Sequence, residues 1–364
     1  MRNIYNCNVC VVGGAGFLGS HLADHLIGDR GCEVVVVDNL CAGRREFVHP
    51  EARFVHHDIA GSEEYLRRLF QERCVEYVFN YAAHPYIPDS FARPMHVCDV
   101  NFMGAIKVIN AAQEAGCKGI LQVSSAEIYG DAGETIRLKL EKMGMSPESQ
   151  LEVGRRIDEQ AQVVPHSSYG ASKAAVDAFV QVRWKEARTP CIALRQFNCI
   201  GERETHPYVV PEIISQCAEQ AGTMVGEWID GTQGERMHGR GETAVVRLGN
   251  NSFRDFIYAG DAVRIAVELL ERGEFGEVYN LGSETGIKIY DLAKLIGKVM
   301  GFADVRMEVD ESRKRPWEIW SLLSSNEKIY AIMDARPPLV SLEESLRRTI
   351  RWYEESGRRW PWEK

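Results

Sequence analysis

A glycine-rich turn near the start of the chain constrains the fold more than any other stretch. Residues 8–12 predict a short apolar strand, the run GGAGFLG follows at residues 13–19, and a helical pattern covers residues 20–26. Glycine allows the backbone to turn tightly and to approach a pyrophosphate, whose charge then lies at the N–H groups that begin the helix. Tight packing alone can also produce a glycine turn, so the rest of the chain must support a dinucleotide site.

An acidic residue at the end of the second predicted strand gives that support. The strand covers residues 33–37, and Asp38 ends it about 20 residues after the glycines. A carboxylate there can accept both hydroxyls of an adenosine ribose, which favours NAD. It would repel a 2′-phosphate, although Arg44 and Arg45 leave some tolerance for NADP. The alternative for Asp38 is a turn residue that ends a strand.

A polar stretch follows the fifth predicted strand. Apolar segments predict further strands at residues 53–56, 77–80 and 119–123. The last of them runs into SSAEIYG at residues 124–130, which places the hydroxyl of Ser125, the carboxyl of Glu127 and the phenol of Tyr129 beyond the strand. Ligands of an open α/β sheet bind beyond the carboxyl ends of its strands, so these groups are predicted to face a crevice. The alternative is a polar loop.

A tyrosine and a lysine lie four residues apart at the head of a predicted helix. The helix begins near Ser168 and runs to about Ala187, so Tyr169 and Lys173 share one face. A nearby ammonium stabilises a phenolate and lowers its pKa, which would let the tyrosine take a proton from a carbinol. This spacing is common by chance on amphipathic helices. Its combination with the glycine turn, Asp38 and Ser125 favours a catalytic role.

Composition narrows the function classes. A net charge of -9 and a pI of about 5.7 argue against a nucleic-acid surface. No apolar run reaches the roughly 20 residues that a membrane span needs, and the start of the chain has no signal-peptide pattern, so we expect a cytoplasmic protein with free thiols. Cys7 and Cys10 have a CxxC spacing without a second pair, which favours buried cysteines over a metal site.

Together these residues resemble the extended short-chain dehydrogenase/reductases of the NAD-dependent nucleotide-sugar epimerase/dehydratase family. The resemblance covers nearly the whole chain. Its motifs in the first half are GGAGFLG at 13–19, DNL at 38–40, DI at 58–59, YAA at 81–83, Ser125 with YG at 129–130, and Tyr169 to Lys173. Its motifs in the second half are RQFN at 195–198 with Gly201, VP at 210–211, RDFIY at 254–258 before DA at 261–262, YNLG at 279–282 and SLEE at 341–344.

This resemblance implies an α/β fold with two parts. A Rossmann-type doubly wound parallel sheet would bind NAD, and a smaller, interleaved C-terminal α/β domain would bind a nucleoside-diphosphate sugar. The NAD-binding domain is expected at residues 1–195 with 254–283 interleaved, and the sugar-binding domain at 196–253 and 284–364. The cofactor-binding residues implied are Gly13, Gly14, Gly16, Phe17, Leu18, Gly19, Asp38, Asn39, Asp58, Ile59, Tyr81, Ala82, Ala83, Asn101, Tyr169 and Lys173. Asn101 could otherwise cap or kink the helix predicted at 94–115.

The resemblance also implies a substrate site. Asn198, Arg254 and Arg315 would contact the diphosphate, although they could be a turn residue and two surface arginines. The sequence RPWE at 315–318 departs from the RPGD that the family often has there. The residues expected beside the sugar are His84, Ser125, Ala126 and Glu127. Residues 131–166 and 222–246 exceed the usual spacing and are expected to border the pocket, where loops set specificity.

The family mechanism leaves several outcomes open. Tyr169, assisted by Ser125 and Lys173, would remove the proton of the sugar C4 hydroxyl while hydride passes to NAD. Glu127 lies where 4,6-dehydratases carry the glutamate that abstracts the C5 proton, but Ala126 is typical of 4-epimerases. We therefore rank dehydration first, to a 4-keto-6-deoxy or a 5,6-ene sugar, then 4-epimerisation, then decarboxylation of a hexuronate.

Two non-enzymatic functions and the oligomeric state also need to be considered. A catalytically silent NAD-binding regulator conflicts with the intact Ser125, Tyr169 and Lys173, and an RNA-binding relative conflicts with the acidic pI. By resemblance, a homodimer would pair the helices at 94–115 and 169–187. Apolar faces on these helices could equally pack within one chain.

Overall fold

The first half of the chain alternates strands and helices. The computed structural model describes residues 2–145, 156–221, 242–314 and 317–362. The strands of this half are β1 (Asn8–Val12), β2 (Glu33–Asp38), β3 (Arg53–His56), β4 (Tyr77–Asn80), β5 (Gly119–Ser125) and β6 (Cys191–Gln196). Its helices are α1 (Phe17–Gly28), α2 (Glu63–Glu72), α3 (Ile87–Ala92), α4 (Pro94–Cys98), α5 (Ala105–Glu114), α6 (Ala132–Lys142) and α7 (Ser168–Ala187).

The second half has shorter strands and returns once to the first. Its strands are β7 (Asn198–Ile200), β8 (Thr243–Leu248), β9 (Phe253–Tyr258), β10 (Val278–Leu281), β11 (Gly286–Lys288), β12 (Asp304–Val309) and β13 (Ser321–Leu322). Its helices are α8 (Val209–Gln220), α9 (Ala259–Arg272), α10 (Ile289–Val299), α11 (Glu327–Tyr330) and α12 (Leu342–Glu355).

Seven parallel strands form the main sheet, in the order β10-β6-β5-β4-β1-β2-β3. The chain moves outward from β1 in one direction through β2 and β3, and in the other through β4, β5 and β6. The strand order therefore reverses beside β1, and a crevice opens at the carboxyl ends of β1 and β4. The predicted Rossmann-type doubly wound sheet is confirmed.

Helices cover both faces of this sheet because its strands are apolar on both sides. In β1, Val11 packs on the side of Leu26 in α1, and Val12 packs on the side of Ile109 in α5. Side chains alternate along a strand, so neighbouring residues enter opposite cores. The helices α1 and α9 lie on the first face, and α2, α5 and α7 lie on the second.

A smaller unit completes the substrate side. Strand β9 pairs with β7, β11 and β13, and β8 pairs in parallel with β12. A separate core beneath them includes Ile213, Val246, Leu292 and Trp360. Strand β10 returns to the main sheet, whereas β9 remains in the smaller one, so the segment 254–283 contributes to both. The exact domain boundaries stay a prediction.

Two elements differ from the sequence expectation. The helix predicted at 94–115 is α4 and α5 joined by a π-helical turn, Asp99–Gly104, and a turn of this kind inserts an extra residue. Ser124 and Ser125 belong to β5 and are buried, because the ladder with β6 continues through both residues.

The described ranges hold neither a membrane-spanning helix nor a disulfide. No helix there is long and apolar enough to cross a membrane. All ten cysteines fall within those ranges and are free thiols.

Candidate active site

A cavity of about 770 Å³ lies at the carboxyl ends of the central strands. Most predicted cofactor residues line it: Gly13, Gly16, Phe17, Leu18, Gly19, Asp38, Asn39, Asp58, Ile59, Tyr81, Ala82, Ala83, Tyr169 and Lys173. The predicted substrate residues that line it are Ser125, Ala126, Glu127, Asn198 and Arg254. The fold therefore brings residues from eight separate segments of the chain to one cavity.

The glycine turn is required by close backbone approaches. Gly13 has φ +80°, and a Cβ there would lie 2.6 Å from the amide nitrogen of Ala82. A Cβ on Gly19 would lie 2.1 Å from the carbonyl oxygen of Gly13. Gly14 is absent from the cavity wall, and a Cβ there would meet Val36 at 2.9 Å, so Gly14 serves the packing of the turn on β2.

Asp38 is held in place by two backbone amides. Its carboxylate accepts hydrogen bonds from the N–H of Ala15 at 3.0 Å and the N–H of Leu40 at 2.8 Å. Each carboxylate oxygen can accept more than one hydrogen bond, so both can still accept from ribose hydroxyls. Neither Arg44 nor Arg45 is among the described residues of the cavity wall. The residues present therefore fit NAD.

Ser125, Tyr169 and Lys173 meet where β5 ends and α7 begins. Ser167 caps α7 by accepting the N–H of Gly170 at 3.0 Å, which fixes the first turn that carries Tyr169. The phenol of Tyr169 is hydrogen-bonded to Ser125. The three predicted catalytic side chains are thus assembled in one place.

Lys173 acts on Tyr169 less directly than predicted. Its ammonium donates to the carbonyl of Val123 at 2.9 Å and lies 5.9 Å from the centre of the Tyr169 ring. Burial raises the pKa of Tyr169 to about 12, and only the hydrogen bond from Ser125 opposes this shift. Burial also lowers the pKa of Lys173 to about 8, against the opposing charge of Asp177. The phenol is therefore protonated near neutral pH.

Glu127 lies one turn beyond Ser125. It is the second residue of the 3₁₀ turn Ala126–Tyr129, and its backbone N–H donates to Oγ of Ser125 at 3.2 Å. Its side chain is partly exposed and lines the cavity, whereas Ala126 beside it is buried. The turn therefore places Glu127 at the cavity two residues after Ser125, and position 126 contributes no second acid.

Tyr129 does not face the crevice, contrary to the expectation from the sequence. It is fully buried, its hydroxyl donates to Oδ1 of Asn280 at 2.7 Å, and it accepts from the guanidinium of Arg195 at 2.8 Å. The 3₁₀ turn directs this ring into the core while Glu127 stays at the cavity. Tyr129 thus ties β5, β6 and β10 together.

Asn101 and His84 lie behind the cavity wall. The Asn101 side chain accepts from the N–H of His84 at 2.6 Å, and it donates to the His84 carbonyl and to Oγ of Ser172, each at 3.2 Å. The His84 ring lies 2.9 Å from the carboxylate of Asp89. Neither residue is in the described cavity lining. Asn101 positions the loop after β4, and its direct cofactor contact stays a prediction.

Two of the three predicted diphosphate-binding residues, Asn198 and Arg254, lie within the described ranges. Arg254 lines the cavity and forms an ion pair with Glu318 at 3.2 Å, and both side chains are about nine-tenths buried. Glu318 was not predicted. Oδ1 of Asn198 is buried and has no partner within the described residues. Arg315 lies outside the described residues, as do residues 146–155 and 222–241 of the two long segments.

Sequence reasoning also missed the loop between β7 and α8. Its residues Glu204, His206 and Tyr208 line the cavity. The His206 ring stacks on Tyr86 with centroids 5.9 Å apart, and the Tyr208 hydroxyl donates to the carbonyl of Pro85 at 3.0 Å. Burial lowers the pKa of His206 to about 4, so the ring is neutral. Its sequence ETHPY carries no motif, and only its place after Asn198 could have indicated a role.

Comparisons place this geometry among known proteins. The NAD dependent epimerase/dehydratase family matches residues 9–282. The dTDP-D-glucose 4,6-dehydratase of Mus musculus is 28% identical and covers 97% of this chain and 90% of its own length. The UDP-glucose 4-epimerase of Lacticaseibacillus casei is 28% identical and covers 95% of this chain and 96% of its own length. A Thermus thermophilus UDP-glucose 4-epimerase, solved with NAD, has a TM-score of 0.74 at 25% identity and covers 95% of this chain and 99% of its own.

Proposed function

The chain belongs to the NAD dependent epimerase/dehydratase family, and we propose that within it this protein is a nucleoside-diphosphate-sugar dehydratase. The reaction would begin with oxidation at C4 of the sugar and continue with proton abstraction at C5. The observation that carries this proposal is the position of Glu127, which lines the cavity and whose backbone N–H donates to Oγ of Ser125.

The first step uses Tyr169 as the base. Bound NAD supplies the hydride acceptor for C4 and a positive charge that favours a phenolate nearby. Ser125 holds the phenol oxygen by a hydrogen bond, and the C4 hydroxyl would bind between these two side chains. Lys173 fixes the same corner by its bond to the Val123 carbonyl. The product of this step is a 4-keto sugar.

The second step uses Glu127. A ketone at C4 acidifies the neighbouring C5 hydrogen, so a carboxylate near C5 can abstract that proton and open the way to loss of the C6 hydroxyl. Returning the hydride to C6 would give a 4-keto-6-deoxy sugar, and returning it to C4 would give a 5,6-ene. Both products are lighter than the substrate by one water, because the hydride taken from C4 is returned to the sugar in the same turnover.

The substrate would be a UDP- or dTDP-hexose, the classes named for the relatives. Arg254 at the cavity wall supports an anionic ligand at this end. Oδ1 of Asn198, which has no partner within the described residues, can accept a hydrogen bond from a donor group of the same ligand. A 4-epimerase remains the second candidate because Ala126, as in 4-epimerases, offers no acid. Decarboxylation of a hexuronate ranks third.

A mass-spectrometric panel of nucleoside-diphosphate hexoses and hexuronates tests the proposal. We expect a product that has lost one water, and we expect Glu127→Gln to abolish it while NAD binding is retained. Glu202→Gln is the matched control, because the Glu202 carboxylate accepts from the Tyr258 hydroxyl and is not in the described cavity wall. Unchanged mass with an altered configuration would support epimerisation, and loss of carbon dioxide would support decarboxylation. No turnover of any sugar would favour an NAD-binding regulator.

The dimer expected from the resemblance is also proposed. Apolar side chains on the relevant helices are exposed in the single chain: Met95 at 73%, Met103 at 45% and Val182 at 44%. Such faces favour burial against a second copy. Sedimentation analysis of the purified protein should give twice the chain mass, and a monomer at micromolar concentration would contradict this.

A further inference from the structure

A second carboxyl belongs to the same cavity as Glu127. Glu204 lies in the loop between β7 and α8, and its residue surface is only 5% exposed. The loop begins against the cofactor turn, where a Cβ on Gly201 would lie 3.3 Å from the Phe17 ring. It ends against the loop after β4, where His206 stacks on Tyr86. Glu204 is thus held between the two segments that flank the crevice.

Most other acidic side chains of the cavity already have partners. The acidic residues of its described wall are Asp38, Asp58, Glu127, Glu204, Glu212 and Glu318. The two aspartates bind backbone amides or Asn39 at the cofactor end. Glu212 pairs with Arg313 at 2.8 Å, and Glu318 pairs with Arg254. Glu204 has no ion pair or side-chain hydrogen bond within the described residues, and it lines the same cavity as Glu127.

Backbone amides, and no cation, oppose the effect of burial on the Glu204 carboxyl in the described part of the chain. One carboxyl oxygen accepts from the N–H of Thr205 at 2.8 Å, and the amide of His206 also contributes. In the described part of the chain no lysine or arginine pairs with it, because the adjacent Arg203 turns away to Asp24 at 2.7 Å.

Titratable neighbours do not add a positive charge. The His206 ring is neutral near pH 7, and the Cys199 thiol, which lies close on β7, has its pKa raised by burial and by Glu204. Burial raises the pKa of Glu204 itself to about 8, against the two backbone hydrogen bonds. A carboxylic acid that stays protonated near neutral pH is a proton donor.

We propose that Glu204 is the general acid of the elimination step and protonates the departing C6 oxygen, the role that Ala126 leaves without a side chain. This inference rests on the proposed dehydratase function. It divides the elimination between two carboxyls, with Glu127 as the base and Glu204 as the acid. Environments that separate the pKa values of two carboxyls commonly assign them to such opposite roles.

The step balances without a further reactant. The C5–H bond breaks and its proton passes to the carboxylate of Glu127, while its electron pair forms the C5=C6 double bond. The C6–O bond breaks, and the oxygen takes the proton of Glu204 and leaves as water. Glu204 ends as a carboxylate and regains a proton from solvent before the next turnover.

The test separates proton abstraction from departure of the oxygen. With Glu204→Gln we expect water loss to fall by roughly 100-fold or more, while exchange of the C5 hydrogen in deuterated water continues at the wild-type rate. A 6-deoxy-6-fluoro substrate carries a leaving group that needs no protonation, and here the variant should eliminate fluoride within about 3-fold of wild type. Glu202→Gln is the control two residues away and should match wild type on both substrates.

The pH profile gives an independent readout. Wild-type water loss should decline with rising pH above about 8. The decline should be smaller in Glu204→Gln and for the fluoro substrate, where Lys173 still titrates in this range. Declines of equal size in wild type and Glu204→Gln would contradict the assignment.

Several results would overturn the assignment. Equal water loss by Glu204→Gln and wild type would remove Glu204 from the step and leave the dehydratase proposal intact. Equal slowing on both substrates would identify a purely structural residue of the loop. Absence of water loss in the wild type itself would refute the dehydratase proposal, and the role of Glu204 with it.

Discussion

The cavity has a cofactor wall and a substrate wall, and the two are formed by different parts of the chain's chemistry, backbone on one and side chains on the other. The cofactor wall is mainly backbone: Gly13 and Gly19 are fixed by approaches that leave no room for a Cβ, and Asp38 is held by two main-chain amides. The substrate wall is mainly side chains, among them Glu204 with a raised pKa and Arg254 in a buried ion pair.

The cofactor wall therefore depends on backbone conformation, and the substrate wall depends on the charge of its side chains. The backbone wall needs conformations and close approaches that few residues other than glycine allow. Few substitutions there should therefore preserve the shape of the cofactor site. A side-chain wall depends on protonation and pairing, which burial can alter without any change of fold. Substitutions on the cofactor wall should therefore reduce stability and NAD binding. Substitutions on the substrate wall should reduce turnover or substrate binding.

The largest effect is expected for Tyr169→Phe. Removing the phenol removes the base for the C4 hydroxyl, so kcat should fall by roughly 100- to 10,000-fold while NAD binding is retained. Tyr129→Phe is the matched control, since it removes a hydroxyl that binds Asn280 and Arg195 in the core. It should leave kcat within a few fold and cost about 1–3 kcal/mol of unfolding free energy. Steady-state kinetics and urea unfolding of both variants give the answer; comparable kcat values would contradict it.

A smaller effect is expected at Arg254. A hydrogen bond to a charged group contributes about 1.5–3 kcal/mol, so Arg254→Gln should raise KM for the nucleotide sugar by roughly 10- to 100-fold with little change in kcat. Glu318→Gln should instead lower KM by a few fold, because the guanidinium no longer pairs with a carboxylate. If both substitutions raise KM equally, Glu318 binds substrate and does not compete with it.

On the cofactor wall, Gly13→Ala tests the backbone requirement. The left-handed conformation costs a non-glycine residue about 1–3 kcal/mol, and the approach to Ala82 adds to this. We expect lower stability and weaker NAD binding by calorimetry. Gly28→Ala is the control, because nothing lies within 4 Å of a Cβ there. Equal NAD affinity in the two variants would show that the wall tolerates side chains.

The smallest effect concerns acid stability. His206 has a folded pKa of about 4, below its ordinary value of 6.5, so the unfolded chain binds its proton first as pH falls. Stability should therefore decline between these values, and His206→Gln should reduce the decline by about 1–2 kcal/mol, allowing for partial exposure of the ring. Urea unfolding near pH 7 and about pH 5 measures it. Parallel losses in both proteins would assign the decline to other groups.

Much of the cofactor side follows from local patterns. Strands β1, β3 and β4 have the predicted limits, since apolar runs bounded by polar or glycine residues leave little choice of register. Asp38 and Tyr169 line the cavity as expected. The π-helical turn, Asp99–Gly104, escaped prediction, and Asn101 within it bonds to the backbone of His84, a contact that no local sequence pattern shows.

The sequence by itself determined the sheet, the dinucleotide turn and the family, because glycine positions and apolar periodicity are local properties. Tertiary structure decided which polar groups of one motif can reach a ligand: Tyr129 is buried in the core, whereas Glu127 lines the cavity. It also decided the charge of each group, keeping Glu204 protonated and the ammonium of Lys173 on the Val123 carbonyl. Burial and partners fix a protonation state, and both come from residues far apart in the chain.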